Sequence, residues 1–488
     1  MRRGQRSLSL VGRLLTVVGV VSVLTAACAG PGAPPAPTTV PPKPTEAAKP
    51  AGPSPSPAAS PAASPAASPA AQAKPAVALP APSGKPVTLR FLHVQTPLHD
   101  TGFGNVVEDF KKVRPEITIE REQVPFLELF RKISTSVASG NPPDILQVDG
   151  PVTKNYAFNN LLLPLGDYYT ADELKAFPPA SIDEGSFGGK LYAPPILQSC
   201  SLMVYNTEFA AAAGITFPAE FKDSLTMEQS LEIWKKLTRD LDGDGTPDIF
   251  GVMWGQTLNT DYETGIFRRS AGAKGSPANQ GIGPDGVTFN GYFDHPDAIR
   301  AMEFYQGLYT EAKVAPQALI PEIFENKKAA TWITPDNVVA KLLRVQPDGK
   351  FPWAVTPIPY FQGGTQLCHT GSWHYGVSSK TANVEAAVSF VRFATTKSEI
   401  KRYYDANRQI PAHLELLNEL PEYQTLPQKM FKDAMLSIGV PRIQTPAYNE
   451  YQEIALETFR DIAAGGSVAD LMKSGAQRMN QAAARYKR

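Results

Sequence analysis

Proline sets the outer limit on what this chain can fold into. Residues 29–86 hold 18 of its 46 prolines and no aromatic residue, and the unit Pro57-Ala58-Ala59-Ser60 recurs at Pro61 and Pro65. Such a stretch has too little apolar surface to offset the entropy of ordering it, and proline-rich chain favours extended, semi-rigid conformations. A packed core therefore has to come from the residues that begin at Val87. The residues ahead of the proline stretch have the layout of an export signal. Arg2, Arg3, Arg6 and Arg13 form a positive region, Leu14 to Leu24 an apolar one, and Thr25-Ala26-Ala27 a run of small residues. The apolar run is short and is followed directly by Gly and Pro, which argues against a spanning helix.

Small residues followed at once by Cys28 resemble a bacterial lipobox, in which cleavage before Cys leaves a thiol that carries diacylglycerol. The resemblance implies a lipoprotein-type signal peptide over 1–27 and a lipidated, disordered Pro/Ala-rich tether over 28–86. The chain would then sit on the outer face of the cell membrane, held by its N-terminal lipid only. Thr25 departs from the pattern, which has Leu at that place; here Leu24 stands one position earlier. An ordinary secretory cut with an incidental Cys28 stays open.

Composition removes some function classes. Basic and acidic residues balance at 47 each, so no electrostatic footprint for nucleic acid is present. Three cysteines cannot make a disulfide scaffold. The chain has no G-x-x-x-x-G-K-[ST], H-E-x-x-H or G-x-S-x-G motif.

From Val87 the pattern becomes that of a globular protein. Val87 to Val94 alternates as a strand, and Asn105 to Arg114 places Val106, Val107, Phe110 and Val113 on one helical face. Pro115 stops that helix, Ile117 to Ile119 is a second strand, Leu127 to Ala138 a helix, and Asp144 to Val148 a short buried strand. Strand and helix in alternation predict parallel βαβ units and an α/β fold.

Several segments then fall in a familiar order. Ala138-Ser139-Gly140-Asn141-Pro142-Pro143-Asp144-Ile145 resembles the A-x-G-x-x-P-D-I signature of extracellular solute-binding proteins of the maltose-binding kind. Asn160 to Leu165, Gly189 to Pro195, Met203 to Asn206, Ala213 to Pro218 and the helix Met227 to Leu237 are similar to the segments that follow it in that family. So are Phe324 to Thr331, Phe351 to Pro359, Gly371 to Ser379, the helix Val384 to Ala394, and Asn407 to Pro411. Asn160 and Lys327 stand where the family has Gly.

The resemblance covers most of 87–488 and implies a two-lobe α/β periplasmic-binding-protein fold, with hinge strands between the lobes and a ligand cleft. It implies a first lobe of 87–197 plus 373–440 and a second of 198–372 plus 441–488. It also implies a non-catalytic, monomeric protein without a cofactor. Such a chain captures a sugar or oligosaccharide by hinge closure and passes it to the permease subunits of an ABC importer.

A sugar site wants flat aromatic faces beside polar side chains. Trp234 lies at helical spacing with Leu231 and Leu237, and Trp353 in an alternating strand, so both read as core. Trp254, Trp332 and Trp373 stand at strand ends or on a crossover, where α/β folds place ligands. Each is a ligand candidate, with core packing as the alternative. By the same rule the polar candidates are His93, Asp149, Gln198, Asp336 and Arg442, with Gln95, Ser199, Asn259 and Asp261 beside them. Asp149 before Gly150 also suits a turn or helix cap.

Cys200 and Cys368 fall, by the resemblance, on adjacent crossovers; a disulfide and two buried thiols are both open. Asp240, Asp242, Asp244 and Asp248 match part of a calcium loop, but Gly251 occupies the place of its bidentate Glu, so Asx-turns are the expected reading. Three rivals remain. A secreted glycosidase needs a carboxylate pair, and metal capture would have to draw on His93, His99, His369 and His374. The same fold can also hold a polyamine, iron or a phosphodiester.

Overall fold

A computed structural model describes residues 85–487 apart from 255–259, 319, 346–350 and 372. The expected signal, Cys28, the tether up to residue 84 and Asn259 lie outside the described residues. No described helix is long and apolar enough to cross a membrane.

Among the described residues thirteen strands appear in chain order: β1 (Val87–Val94), β2 (Ile117–Val124), β3 (Ile145–Asp149), β4 (Ser186–Phe187), β5 (Lys190–Leu191), β6 (Pro195–Leu197), β7 (Ser201–Asn206), β8 (Phe250–Met253), β9 (Ala329–Pro335), β10 (Trp353–Thr356), β11 (Cys368–Thr370), β12 (Trp373–Val377) and β13 (Gly439–Pro441). The first sheet has the order β2-β1-β3-β12-β6. Its β1 pairs in parallel with β2 and β3, as the alternation of strand and helix predicts, while β12 returns antiparallel to β3 and β6. From Phe91 onward both faces of β1 are buried, because helices cover the sheet on each side.

The helix expected over 105–114 runs over Pro97–Val113. Thr96 caps it, accepting from the amide of His99 at 3.3 Å, and Pro97 stands at its start. Gly102 and Gly104, inside the helix, hide this beginning from periodicity. The helices Met227–Leu237 and Val384–Ala394 have the expected bounds.

The second sheet has the order β10-β7-β9-β8. β7 lies antiparallel to β9 and β10, and β8 parallel to β9. Three connections join the two sheets. β6 runs into β7 through Gln198, Ser199 and Cys200; β11 runs into β12 through Gly371; β13 carries the third. Cys200 and Cys368 form a disulfide, with Cα atoms 5.6 Å apart, which ties the first connection to the second. β11 and β13 pair in parallel, which ties the second to the third. The helix Gln428–Ser437 packs on the turn Pro421–Gln424 ahead of it and on β7, β11 and β13, where the connections gather.

Trp234 is fully buried in the core, as its spacing predicts, and Trp353 is half-buried in β10. The Asp240 segment is an exposed turn. Asp240 accepts from the amides of Gly243 (2.7 Å) and Gly245 (2.9 Å), Asp242 from Asp244 (3.2 Å), and Asp244 from Thr246 (2.7 Å). Asp248 accepts from Leu241 at 2.7 Å. The carboxylates of Asp240, Asp242 and Asp244 lie within 4.8 Å of one another, and Asp248 is not among them.

Candidate ligand-binding cleft

A cavity of about 400 Å³ lies between the ends of the two sheets, in the size range of small-molecule sites. The first sheet brings to it Val94 at the end of β1, Asp149 at the end of β3 and Trp373 at the start of β12. The second sheet brings Trp332 and Pro335 from β9. Both indoles are half-buried, so each keeps an accessible edge or face. Trp373 is braced by the edges of Phe126, at 6.0 Å between ring centroids, and His99, at 6.2 Å.

Arg442, just past β13, makes the floor. Its Nη2 donates to Asp149 Oδ1 and its Nη1 donates to the Tyr448 hydroxyl at 3.1 Å. The guanidinium also lies 5.6 Å from the Tyr262 ring centroid. Arg442 is 2% exposed and Asp149 5%. Burial raises the Asp149 pKa, and the Arg442 charge works against that rise. Burial likewise disfavours the Arg442 charge, but Asp149, Tyr448 and Glu184 together more than offset it and the guanidinium stays protonated. The floor is thus a neutralised pair, with carboxylate acceptors held in place for a donor such as a hydroxyl.

The hinge connections reach the cleft at Ser199 and Gly371. Ser199 Oγ lies 2.8 Å from the Tyr262 hydroxyl and donates to the Gly371 carbonyl at 2.6 Å. A Cβ at Gly371 would stand 2.5 Å from Tyr262 Cε2, so only glycine lets this crossover pass beneath the ring.

Four of the eight residues expected to touch ligand, Asp149, Trp332, Trp373 and Arg442, meet at this cleft. The other four do not line it, and the expectation for them is corrected. Trp254 is fully buried with its ring 3.5 Å from that of Phe267, and its Nε1 donates to the Glu263 carbonyl at 3.2 Å. Its strand end points into the helix layer. His93 is also fully buried, packed on Phe91 and Phe103, with Nδ1 3.0 Å from the Val94 carbonyl. Burial pulls its pKa down to about 4.

Gln198 is fully buried and tied to the helix Pro179–Glu184, donating to Ser181 Oγ at 2.8 Å and accepting from the Ser199 amide at 2.9 Å. Asp336 begins the helix Asp336–Val345 and accepts from the Ile410 amide at 3.0 Å. Burial pushes its pKa up to about 7.

Sequence reasoning missed His99 and Tyr262 as cleft residues. The signal for His99 was the pair Thr96-Pro97, which starts a helix just ahead of it. The four histidines of the metal rival are dispersed. His99 contacts Tyr403; His369 contacts the Asp261 carbonyl (2.8 Å) and Arg269 (3.1 Å); His374 contacts the Ala193 carbonyl (2.8 Å).

Two α/β sheets joined by three hinge connections, with a cleft between their strand ends, define a two-lobe binding protein. The chain belongs to the bacterial extracellular solute-binding proteins, whose family model matches residues 105–432. A maltotriose-binding protein of Pyrococcus abyssi is 25% identical over 343 residues, which is 67% of this chain and 66% of that relative's length. An ABC substrate-binding protein from Listeria monocytogenes, solved in complex with cycloalternan, superposes with a TM-score of 0.68 at 20% identity. The match covers 81% of this chain and 99% of that one. The maltose/maltodextrin-binding domain from Bdellovibrio bacteriovorus, solved bound to maltotriose, gives 0.66 at 19% identity, covering 82% and 99%.

Proposed function

We propose that this protein is the extracytoplasmic substrate-binding component of an ABC importer and captures an oligosaccharide in the cleft between its lobes. The observation that carries the reading is the placement of Trp332 and Trp373, one from each sheet, in one cavity floored by Asp149 and Arg442. Indoles offer flat faces to the C–H side of a sugar ring, and the carboxylate takes its hydroxyls. The sugar-bound relatives support this reading. The first lobe comprises 87–197 plus 373–440, and the second 198–372 plus 441–488, with β13 at the boundary between them. The cleft closes by bending at the three connections.

The family supports a binding role without catalysis, and delivery to a membrane permease. The N-terminal sequence supports export, cleavage before Cys28 and anchoring by lipid on that residue. The chain acts as a monomer. The test is a thermal-shift screen of a saccharide panel that includes maltotriose, since a ligand that binds only the folded state raises its melting temperature. A saturable rise with at least one member is expected. No rise with any member, and a rise with polyamines or phosphodiesters, would reject the sugar reading.

A further inference from the structure

His99 sits in the first turn of the helix Pro97–Val113 and lines the cleft. Its Nδ1 is hydrogen-bonded to the hydroxyl of Tyr403, which arrives from the helix Lys397–Asn407, 304 residues away in sequence. Gly102 makes this meeting possible. A Cβ there would stand 2.5 Å from Tyr403 Cδ2 and 2.8 Å from Cε2. Glycine inside a helix costs about 1 kcal/mol relative to alanine, and here it leaves room for the ring that reaches His99.

The hydrogen bond has one consistent direction. Burial holds the Tyr403 pKa well above its ordinary value, so the phenol keeps its proton. Among the described residues its hydroxyl has His99 Nδ1 as its only hydrogen-bond partner. A buried O–H without an acceptor is costly, so Tyr403 donates and Nδ1 accepts. Burial also pulls the His99 pKa down to about 4, which leaves the ring neutral. A neutral imidazole that accepts at Nδ1 carries its proton on Nε2.

We propose that His99 is a specificity residue of the cleft, donating from Nε2 to an acceptor oxygen of the ligand beside Trp373, and that Tyr403 is the positioning residue that fixes this tautomer. The proposal rests on the saccharide reading above and deepens it. With Nδ1 taken, His99 offers a donor and no acceptor. It favours a hydroxyl, ring or glycosidic oxygen at this point and disfavours an ammonium group.

Long-range proton–nitrogen NMR on histidine-labelled protein reads the tautomer without ligand. The expected spectrum for wild type at neutral pH is a neutral ring protonated on Nε2, and Tyr403→Phe should give a mixture of tautomers. Calorimetry with maltotriose, alongside melting temperatures that confirm folding, reads the ligand contact. His99→Leu should weaken binding about tenfold or more, while His99→Gln, which keeps a donor, should stay within about threefold of wild type. A wild-type ring protonated on Nδ1, or His99→Leu binding as wild type does, overturns the proposal. A folded wild type that binds no saccharide overturns the saccharide reading and the ligand contact with it. A loss confined to His99→Leu separates the two.

Discussion

The guanidinium of Arg442 donates to the carboxylate of Asp149 across 293 residues of chain, and both groups are almost fully buried. Removing one partner leaves the other charge stranded in a low-dielectric site, which costs about 3–5 kcal/mol. Arg442→Met and Asp149→Leu should each lose stability on that scale in denaturant titrations. The double variant should recover part of it, since it leaves neither charge behind. Single variants within about 1 kcal/mol of wild type would show that the pair is not the keystone of the floor.

The tryptophans should separate by role. Trp332→Ala and Trp373→Ala remove half-buried rings from the cleft, so each should weaken saccharide binding about tenfold, or about 1.4 kcal/mol, with little change in melting temperature. Trp254→Ala empties a fully buried site and should cost about 3–5 kcal/mol of stability. Equal effects of all three on binding and on stability would contradict this division.

The Cys200–Cys368 disulfide closes a loop with a sequence separation of 168. Its removal by Cys200→Ser with Cys368→Ser should cost about 2–4 kcal/mol. Both sulfurs belong to fully buried residues, so a mild thiol reductant should leave the native protein's melting curve unchanged while the double variant melts lower. A double variant as stable as wild type would show that the bridge adds nothing to the folded state.

Two buried features should pull the pH dependence of stability in opposite directions. The folded-state pKa of Asp336 is about 7 and the unfolded one about 3.9. The folded chain therefore keeps a proton that the unfolded chain releases. That contribution is full below the unfolded pKa and is lost as pH rises towards 7, by about 1.4 kcal/mol per unit at most. Relative to Asp336→Asn, wild type should become less stable from about pH 4 to pH 7.

His93 and His99 are pulled down to about 4 when folded, against about 6.5 unfolded. Here the unfolded chain binds the extra protons, and stability falls as pH drops from about 6.5 to 4. Relative to a variant with Gln at both positions, wild type should gain stability over the same rise in pH. Melting curves across that range decide both signs.

How far the sequence reached can be seen residue by residue. Ordered motifs led to the fold, and the rule that strand ends face the cleft found Asp149 and Trp373, while Trp332, read as a strand end, stands in the middle of β9 and still reaches the cavity. The same rule misplaced Trp254, because a strand end also faces the helix that follows it, and Phe267 on that helix took the indole. It misplaced His93 for a related reason: the last four residues of β1 are covered on both faces. His99 was invisible for a different one. Its role depends on Tyr403, far away in sequence, and on the empty space at Gly102. A missing side chain leaves no mark in a hydrophobic pattern.

The two indoles belong to different sheets, so neither lobe owns the binding site. On the saccharide reading proposed above, a ring that lies on Trp373 alone touches one wall of this pair, whereas a solute that reaches Trp332 as well spans both walls and couples its own length to the distance between the lobes.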